Sequence, residues 1–430
     1  DLTFVPLIEA LLPDLPSDLR FVILTDRAHM PDCAFDALCY EELLAAQSPV
    51  FDWPSFPEEI AAGLCYTSGT TGNPKGALYT HRSTLLHALQ VPLCQTSSFR
   101  AGARALPVVP LFHVNAWGLP YVAPLTGMTL VMPGPNLDGA SLFRLMDAES
   151  VYSAWGVPTV WAGLLAEIKA KGRIPTGFAD LVVGGSAMPR VMIEAYETRG
   201  VVVSQAWGMT ETSPIGAYGV LSPEMQTAPL AERIAAKCCA GRRLFGVEYK
   251  IVDDAGQRLP HDGQAAGELF IRGNTVISGY FENPEATRAA MDAEGWFGTG
   301  DVASVSPEGR LTIRDRSKDL VKSGGEWISS IDLENAALSH PGIAACAVIA
   351  VPHPKWDERP VLVAVAAGAE RPTLAEVCTH METHFAKWQL PDDLLWVEAL
   401  PLTATGKVSK LTLREQFGDY IHPDLRGDDA

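Results

Sequence analysis

From residue 19 to about residue 210, short β-branched runs alternate with stretches whose apolar residues recur at helical spacing. FVILTD, ALPVVP, MTLVMPG, VYSAWGV, ADLVVGG and VVVSQAWG read as strands. STLLHALQ, DGASLFRLMDAE, TVWAGLLAEIKAK and PRVMIEAYETR read as the helices between them. Such alternation builds a mostly parallel sheet covered by helices, which binds ligands beyond the carboxyl ends of its strands. Near residue 240 the texture changes. VEYKIVDDAGQRLPHDGQAAGELFIRG and VSPEGRLTIRDR carry strands broken by DAG, DG and PEG turns, which predicts hairpins. After RDRSKD the pattern is mixed again. SSIDLENAAL and TLAEVCTHMETHF have helical spacing, while GIAACAVIAV, RPVLVAVAAG and DLLWVEAL read as strands.

Composition narrows the function classes. The formal net charge is −18, from 33 Lys+Arg against 51 Asp+Glu. That balance argues against nucleic acid or an anionic membrane as partner. It still permits a phosphate substrate, because a local cation acts within a Debye length of about 8 Å. No apolar run approaches the ~20 residues of an integral membrane segment. The eight cysteines show no CxxC spacing, so neither a disulfide framework nor a zinc site is expected, and a reducing cytoplasm fits best.

YTSGTTGNPKG (66–76) stands between a strand-like run and the helix-like HRSTLLHALQ. Gly69, Gly72 and Gly76 permit positive φ and close backbone approach; Thr67, Ser68, Thr70 and Thr71 add hydroxyls, and Lys75 a mobile cation. Such a nest ahead of a helix N-terminus suits phosphate. It is not a Walker A loop, since Pro74 occupies the second glycine position and Gly76 follows the lysine. GGSAMP (184–189) and WGMTET (207–212) each follow a predicted strand, which places both on the same sheet edge as the loop.

These segments, followed in order by GWFGTGD (295–301), DRSKDLVKSGGEWIS (315–329), VPHPKWDERP (351–360) and PLTATGKVSK (401–410), resemble the adenylate-forming acyl- and aryl-CoA synthetases. The resemblance covers essentially the whole chain. It implies an α/β fold: a large N-terminal domain over 1–316, with parallel α/β subdomains and a small β-rich subdomain, and a mobile small α/β C-terminal domain over 317–430. It also implies ATP and CoA as co-substrates, Mg²⁺ as cofactor and a small carboxylic acid as the third partner; a homodimer is left open. Members carry an N-terminal region ahead of a segment like DLTFVPLIEALLPDLPS, where this chain opens, so part of the first lobe is expected to lie outside it.

By this resemblance Thr67, Ser68, Gly69, Thr70, Thr71, Gly72 and Lys75 hold the β- and γ-phosphates of ATP. Glu211, with Thr67 nearby, is the Mg²⁺ ligand within the ATP-contacting run Gly208, Met209, Thr210 and Glu211. Gly184, Gly185, Ser186 and Ala187 lie along adenine, and Trp207 either flanks the base or is a core residue. Asp301 and Arg316 reach the ribose, Lys318 is an exposed hinge, and Lys407 bridges carboxylate and α-phosphate. Lys322, Gly324, Gly325, Glu326 and Trp327 face the CoA arm after the C-terminal domain rotates.

PLFHVNAWG (110–118) matches the family's acyl site, with Gly184 adjoining it. His113 and Trp117 would share a face if this stretch were helical, with Val114 between them. His113 either gates the substrate path or is structural. WGVPTVW (155–161) is expected to form the opposite wall. No Asp or Glu appears in either segment, which favours an apolar acid. The motifs look most like bacterial medium-chain acyl-CoA synthetases, a group that includes 3-methylmercaptopropionate–CoA ligases. Two other readings stand beside it: a non-catalytic nucleotide- or acyl-binding relative, and an adenylation domain that loads a carrier protein. Intact Lys75, Glu211, Asp301, Arg316 and Lys407 weigh against the first, and the absence of a substrate-binding acid against the second.

Overall fold

The computed structural model describes residues 4–67, 74–95, 97–403 and 405–425. Residues up to Pro57 form one compact unit and those from Glu58 onward another. The first unit holds a helix (Val5–Leu11), two short parallel strands, β1 (Phe21–Ile23) and β2 (Ala37–Cys39), and a helix over Tyr40–Ala45. FVILTD is a strand only as far as Ile23; Asp26 then accepts from the His29 backbone N–H and opens a 3-10 turn.

In the second unit β3 (Ala61–Tyr66) and β4 (Gly76–Thr80) pair as a separate antiparallel hairpin. An eleven-stranded sheet dominates the remainder. Its parallel part runs in the order β9 (Val202–Gly208), β8 (Asp180–Val183), β7 (Ser153–Gly156), β5 (Arg104–Pro107), β6 (Thr129–Leu130). Every residue of β7 and β8 is buried, as a strand covered on both faces requires.

The covering helices follow the predicted pattern. The helix Gly139–Glu149 is capped by Asp138, which accepts from Ser141 N, and buries Leu142, Phe143 and Met146. The helix Pro158–Lys171 starts on a proline, ends at left-handed Gly172, and buries Trp161, Leu164, Leu165 and Ile168. The two cross where a Cβ on Gly139 would lie 2.2 Å from the Gly163 carbonyl oxygen, so only glycine fits there.

Beyond β9 the same sheet turns antiparallel through β10 (Ile215–Tyr218), β11 (Gly241–Arg243), β15 (Arg310–Arg316), β14 (Phe297–Val305), β13 (Gly267–Gly273) and β12 (Val247–Val252). The β-rich part is therefore a continuation of the parallel sheet. A second sheet, ordered β17 (Glu326–Ile328), β16 (Val321–Ser323), β19 (Asp357–Ala366), β18 (Ile343–His353), with β20 (Asp393–Trp396) parallel to β19, packs with helices Ser330–Ala337, Leu374–Met381 and Lys410–Gln416. The α/β class and the small C-terminal α/β sheet are as expected. Among the described residues no helix is long and apolar enough to cross a membrane.

Candidate active site

The glycine-rich loop joins β3 to β4, so it is the turn of a hairpin on its own small sheet and does not lead directly into a helix. The helix over His81–Gln90 begins only after β4, capped by Thr80. Both the helix-N-terminus placement and the shared sheet edge are corrected by this: a five-residue strand intervenes. Ser68, Gly69, Thr70, Thr71 and Gly72 lie outside the described residues. The loop's two ends are clasped together. Thr67 N donates to the Lys75 carbonyl at 2.9 Å, and Lys75 N to Thr67 Oγ1 at 3.1 Å.

The hairpin meets the end of β9 through side chains. Tyr79 donates its hydroxyl to the Thr210 carbonyl at 2.6 Å. The Lys75 ammonium stands 5.1 Å from the ring centroid of Tyr280, whose hydroxyl donates to Glu211 Oε1 at 2.6 Å. Tyr280 was not singled out in the sequence, although its SGYFENPEAT segment is an aromatic between turn residues next to the motif series.

Gly208 ends β9, and Met209 leads into a single 3-10 turn over Thr210–Thr212 that carries Glu211. A Cβ on Gly208 would lie 1.9 Å from the Pro214 carbonyl oxygen, which explains the glycine. Glu211 is buried, and among the described residues no cationic side chain lies within ion-pair distance of it. Buried carboxylates are ordinarily paired or bound to metal. A buried carboxylate held by one tyrosine hydroxyl fits Mg²⁺, which takes one or two protein oxygens beside phosphate and water.

Gly184 ends the buried run of β8, and Gly185, Ser186 and Ala187 emerge at its carboxyl end, exposed. Lys407 lies against Gly185. A Cβ on Gly185 would be 2.7 Å from Lys407 Cε and 3.2 Å from Val157 Cγ1, and Thr159 Oγ1 donates to the Gly406 carbonyl at 2.8 Å. Desolvation lowers the Lys407 ammonium to about 8, and the nearby Arg316 cation adds to this, while Asp301 opposes it. His113 faces the same cation: burial, then Lys407, hold it down to about 4, so it is neutral at physiological pH.

Asp301 and Arg316 oppose each other in the β14–β15 register, and Arg316 Nε lies 2.7 Å from Asp301 Oδ1. Trp207 is half-buried, packs against the main core, and donates its indole N–H to Asp301 Oδ2 at 2.9 Å. Burial raises the Asp301 carboxyl above its ordinary value, against the pull of Arg316 and Trp207. Lys318 is exposed in the turn between β15 and β16, as expected.

The acyl segment holds a correction. Val114, Asn115, Ala116 and Trp117 have φ of 45°, 52°, 45° and 58°, so the turn is left-handed, and the shared-face argument for His113 and Trp117 fails. Left-handed turns cost roughly 1–2 kcal/mol per residue; here the cost is offset by burial of Val114, Ala116 and Trp117. Trp117 nevertheless reaches Gly184, where a Cβ would lie 2.7 Å from Trp117 Cη2. The opposite wall is also corrected. Trp155 and Trp161 are fully buried core residues, and Val157 and Thr159 meet the Lys407 loop instead.

Lys322, Gly324, Gly325, Glu326 and Trp327 form the β16–β17 hairpin. Gly324 and Gly325 both have positive φ, 62° and 86°, and the Lys322 ammonium caps the half-exposed Trp327 ring at 4.9 Å. The hairpin's hydrogen bonds run to Trp356, Glu358 and Arg359.

The parallel sheet, the clasped loop and the lysine at the end of β8 belong to a nucleotide-using ligase. Residues 13–281 match the family of AMP-binding enzymes and residues 332–407 the AMP-binding enzyme C-terminal domain. The chain belongs to that family and is an ATP-dependent, AMP-forming acid–CoA ligase. It is 48% identical over 423 residues to the 3-methylmercaptopropionyl-CoA ligase of Ruegeria pomeroyi, spanning 98% of this chain and 78% of the relative. It is 46% identical to the medium-chain-fatty-acid–CoA ligase of Ectopseudomonas oleovorans, over 98% of this chain and 77% of that protein. Among solved structures it is similar to o-succinylbenzoate coenzyme A synthetase from Bacillus subtilis in complex with ATP and magnesium ion. There the TM-score is 0.75 at 27% identity, covering 94% of this chain and 81% of the other.

Proposed function

We propose that this ligase activates a short- or medium-chain fatty acid or 3-methylmercaptopropionate. The carboxylate attacks the α-phosphate of ATP, giving acyl-adenylate and pyrophosphate; the CoA thiol then attacks the adenylate carbonyl and AMP leaves. The observation that carries this reading is Lys407, whose chain lies on Gly185 and whose ammonium is electrostatically coupled to Asp301, Arg316 and His113. A flexible ammonium there can bridge a carboxylate and an α-phosphate that otherwise repel.

In this reading Thr67 to Gly72 and Lys75 bind the departing pyrophosphate, whose developing charge the backbone nest and the ammonium stabilise. Glu211 and Thr67 would hold Mg²⁺, which when bound would supply positive charge beside the phosphates. Asp301 keeps lone pairs for ribose hydroxyls beside its two existing partners, since a carboxylate accepts about four hydrogen bonds. Gly184 to Ala187 admit adenine closely. The domain boundary falls at 316/317, with Lys318 the hinge. Rotation about it withdraws Lys407 and brings in Lys322, Gly324, Gly325, Glu326 and Trp327 for the thiol.

His113, Val114, Trp117 and Gly184 line the acid's path. The segments 110–118 and 155–161 contain no Asp or Glu, which supports an apolar acid, and the names of the two curated relatives bracket the same size class. Discrimination among such acids rests on a methylene or so of packing, about 1–3 kcal/mol. The test is pyrophosphate release from MgATP across C2–C12 acids and 3-methylmercaptopropionate, with and without CoA. Acid-dependent release, with thioester appearing only when CoA is added, is expected. Silence from a folded chain that still binds ATP would overturn the reading.

A further inference from the structure

The hairpin assigned above to the thiol step is held in shape by a buried arginine and a buried histidine that no part of that chemistry uses. Arg359 on β19 has five N–H donors, and the structure gives it five bonds. Nε and Nη2 pair with Asp392 Oδ2 and Oδ1 at 2.6 Å each. Nη1 and Nη2 reach the Trp388 and Leu390 carbonyls at 2.7 and 3.3 Å. The fifth goes from Nη1 to Ser323 Oγ at 2.8 Å, the residue immediately before Gly324. A guanidinium with every donor engaged has no freedom to drift, so it holds Ser323 as rigidly as it is held itself.

Asp392 is in turn held by the tail that follows the last helix. His422, almost wholly buried, accepts from Asp424 N on Nδ1 at 3.2 Å. Its proton therefore sits on Nε2, which faces Asp392 Oδ2 at 2.9 Å. Tyr420 adds a bond from its hydroxyl to Asp393 Oδ2 at 2.7 Å. The ring of His422 also meets His353, with ring centroids 4.8 Å apart and edge to face. His353 Nδ1 accepts from Lys355 N and Trp356 N, both at 3.2 Å, and so shapes the β18–β19 turn. That turn supports the hairpin a second time. The Trp356 carbonyl accepts from Gly324 N at 2.8 Å, and the Trp356 ring lies 3.0 Å from where a Cβ on Gly324 would be.

His353, His422 and Asp424 lie close enough together to suggest a cation site. The tautomer argues otherwise, because His353 spends its Nδ1 lone pair on backbone N–H groups and keeps its proton on Nε2.

We propose that His422 is a positioning residue for the thiol half-reaction. Through Asp392 and Arg359 it fixes Ser323, and through His353 it fixes Trp356, so both sides of Gly324–Gly325 are set by the tail. This rests on the reading that the Lys322–Trp327 hairpin passes the CoA arm.

The experiment measures the two half-reactions separately on the full chain. One is acid-dependent pyrophosphate release; the other is thioester formation from preformed acyl-adenylate and CoA. His422→Ala is expected to slow the second by about tenfold to a hundredfold, the usual effect of a misplacement near 1 Å, and to leave the first unchanged. His422→Gln, which restores an N–H donor toward Asp392, should recover most of the loss. Ser323→Ala, which removes only the final contact, should reproduce the selective loss and decides the matter if His422→Ala does not fold. Gly325→Leu, placed in the hairpin itself, is the control. If it impairs both half-reactions alike, the CoA-hairpin reading fails and this proposal with it. If Gly325→Leu is selective but neither His422→Ala nor Ser323→Ala is, the hairpin reading stands and the positioning role is overturned.

Discussion

The Tyr280 hydroxyl donates to Glu211 Oε1 at 2.6 Å, while the Lys75 ammonium stands over the same ring. One aromatic side chain thus links the loop assigned to phosphate with the carboxylate assigned to metal. Tyr280→Phe keeps the ring and removes the bond, leaving a buried carboxylate oxygen short of a partner at a cost of about 1–3 kcal/mol. The expected result is a higher Mg²⁺ requirement for pyrophosphate release, with acid preference unaltered. A magnesium titration at fixed ATP checks this; an unchanged half-saturation point would remove Tyr280 from the site.

The pH profile should show Lys407 and not His113. Lys407 sits at about 8, lowered by burial first and Arg316 second, so adenylate formation should fall as pH rises through that value. Bound ATP brings anionic charge toward the ammonium and moves the limb upward, so kcat/KM for ATP should turn down at lower pH than kcat. Stability changes the other way. The unfolded chain keeps this proton up to about 10.5, so between 8 and 10.5 it binds more protons than the folded one, and this group's contribution to stability rises with pH. His113 lies near 4 against an ordinary 6.5; its contribution is present above 6.5 and lost as pH falls toward 4, with no activity limb at 6.5. Activity and melting profiles from pH 5 to 10 test both signs, and a limb near 6.5 that vanishes in His113→Gln would contradict them.

Trp117 is the residue assigned above to the acid's path whose removal would make room. Its ring tip fills the space beside Gly184, and it is buried with Trp155 at 6.5 Å. Trp117→Ala should cost about 3–5 kcal/mol of stability. It should also move the preferred acid to longer chains, each added methylene being worth about 1–3 kcal/mol of discrimination. The KM for ATP should change little. A variant with altered ATP binding and unaltered acid ranking would displace Trp117 from the acid's path.

The parallel core was legible because β7 and β8 are largely apolar after their first residues, Ser153 and Asp180, and the helices Gly139–Glu149 and Pro158–Lys171 carry clear end signals. The residues around Lys407 and Asp301 were legible through short motifs at strand ends. The left-handed turn at 114–117 was not, because no glycine marks it before Gly118, and its cost is met by burial contacts distant in sequence. Tyr280 was missed because its partner is 69 positions away, and a single tyrosine in a turn-rich stretch carries no periodicity. Trp155 and Trp161 were placed at the acid because they flank a plausible segment, whereas Trp155 lies on the fully covered strand β7 and Trp161 on the buried face of the helix Pro158–Lys171.

The sharpest test of the adenylation geometry is at Gly185, which has φ of 82° and lies against the chain of Lys407. Gly185→Ala adds a methyl group 2.7 Å from Lys407 Cε, and the ammonium must move away from the carboxyl end of β8. Lys407→Ala removes the ammonium outright. Both should depress acid-dependent pyrophosphate release, Lys407→Ala on the order of a hundredfold, as expected for loss of one preorganised charge at the reacting centre. Thioester formation from preformed acyl-adenylate should be much less affected by Lys407→Ala, because the proposed rotation withdraws the lysine in that step. Gly185→Ala would also narrow the edge assigned above to adenine, so it should raise the KM for ATP where Lys407→Ala chiefly lowers kcat. Equal loss in both half-reactions for Lys407→Ala would sink its assigned role. Full activity of Gly185→Ala would mean that Lys407 works from a position other than the one seen here.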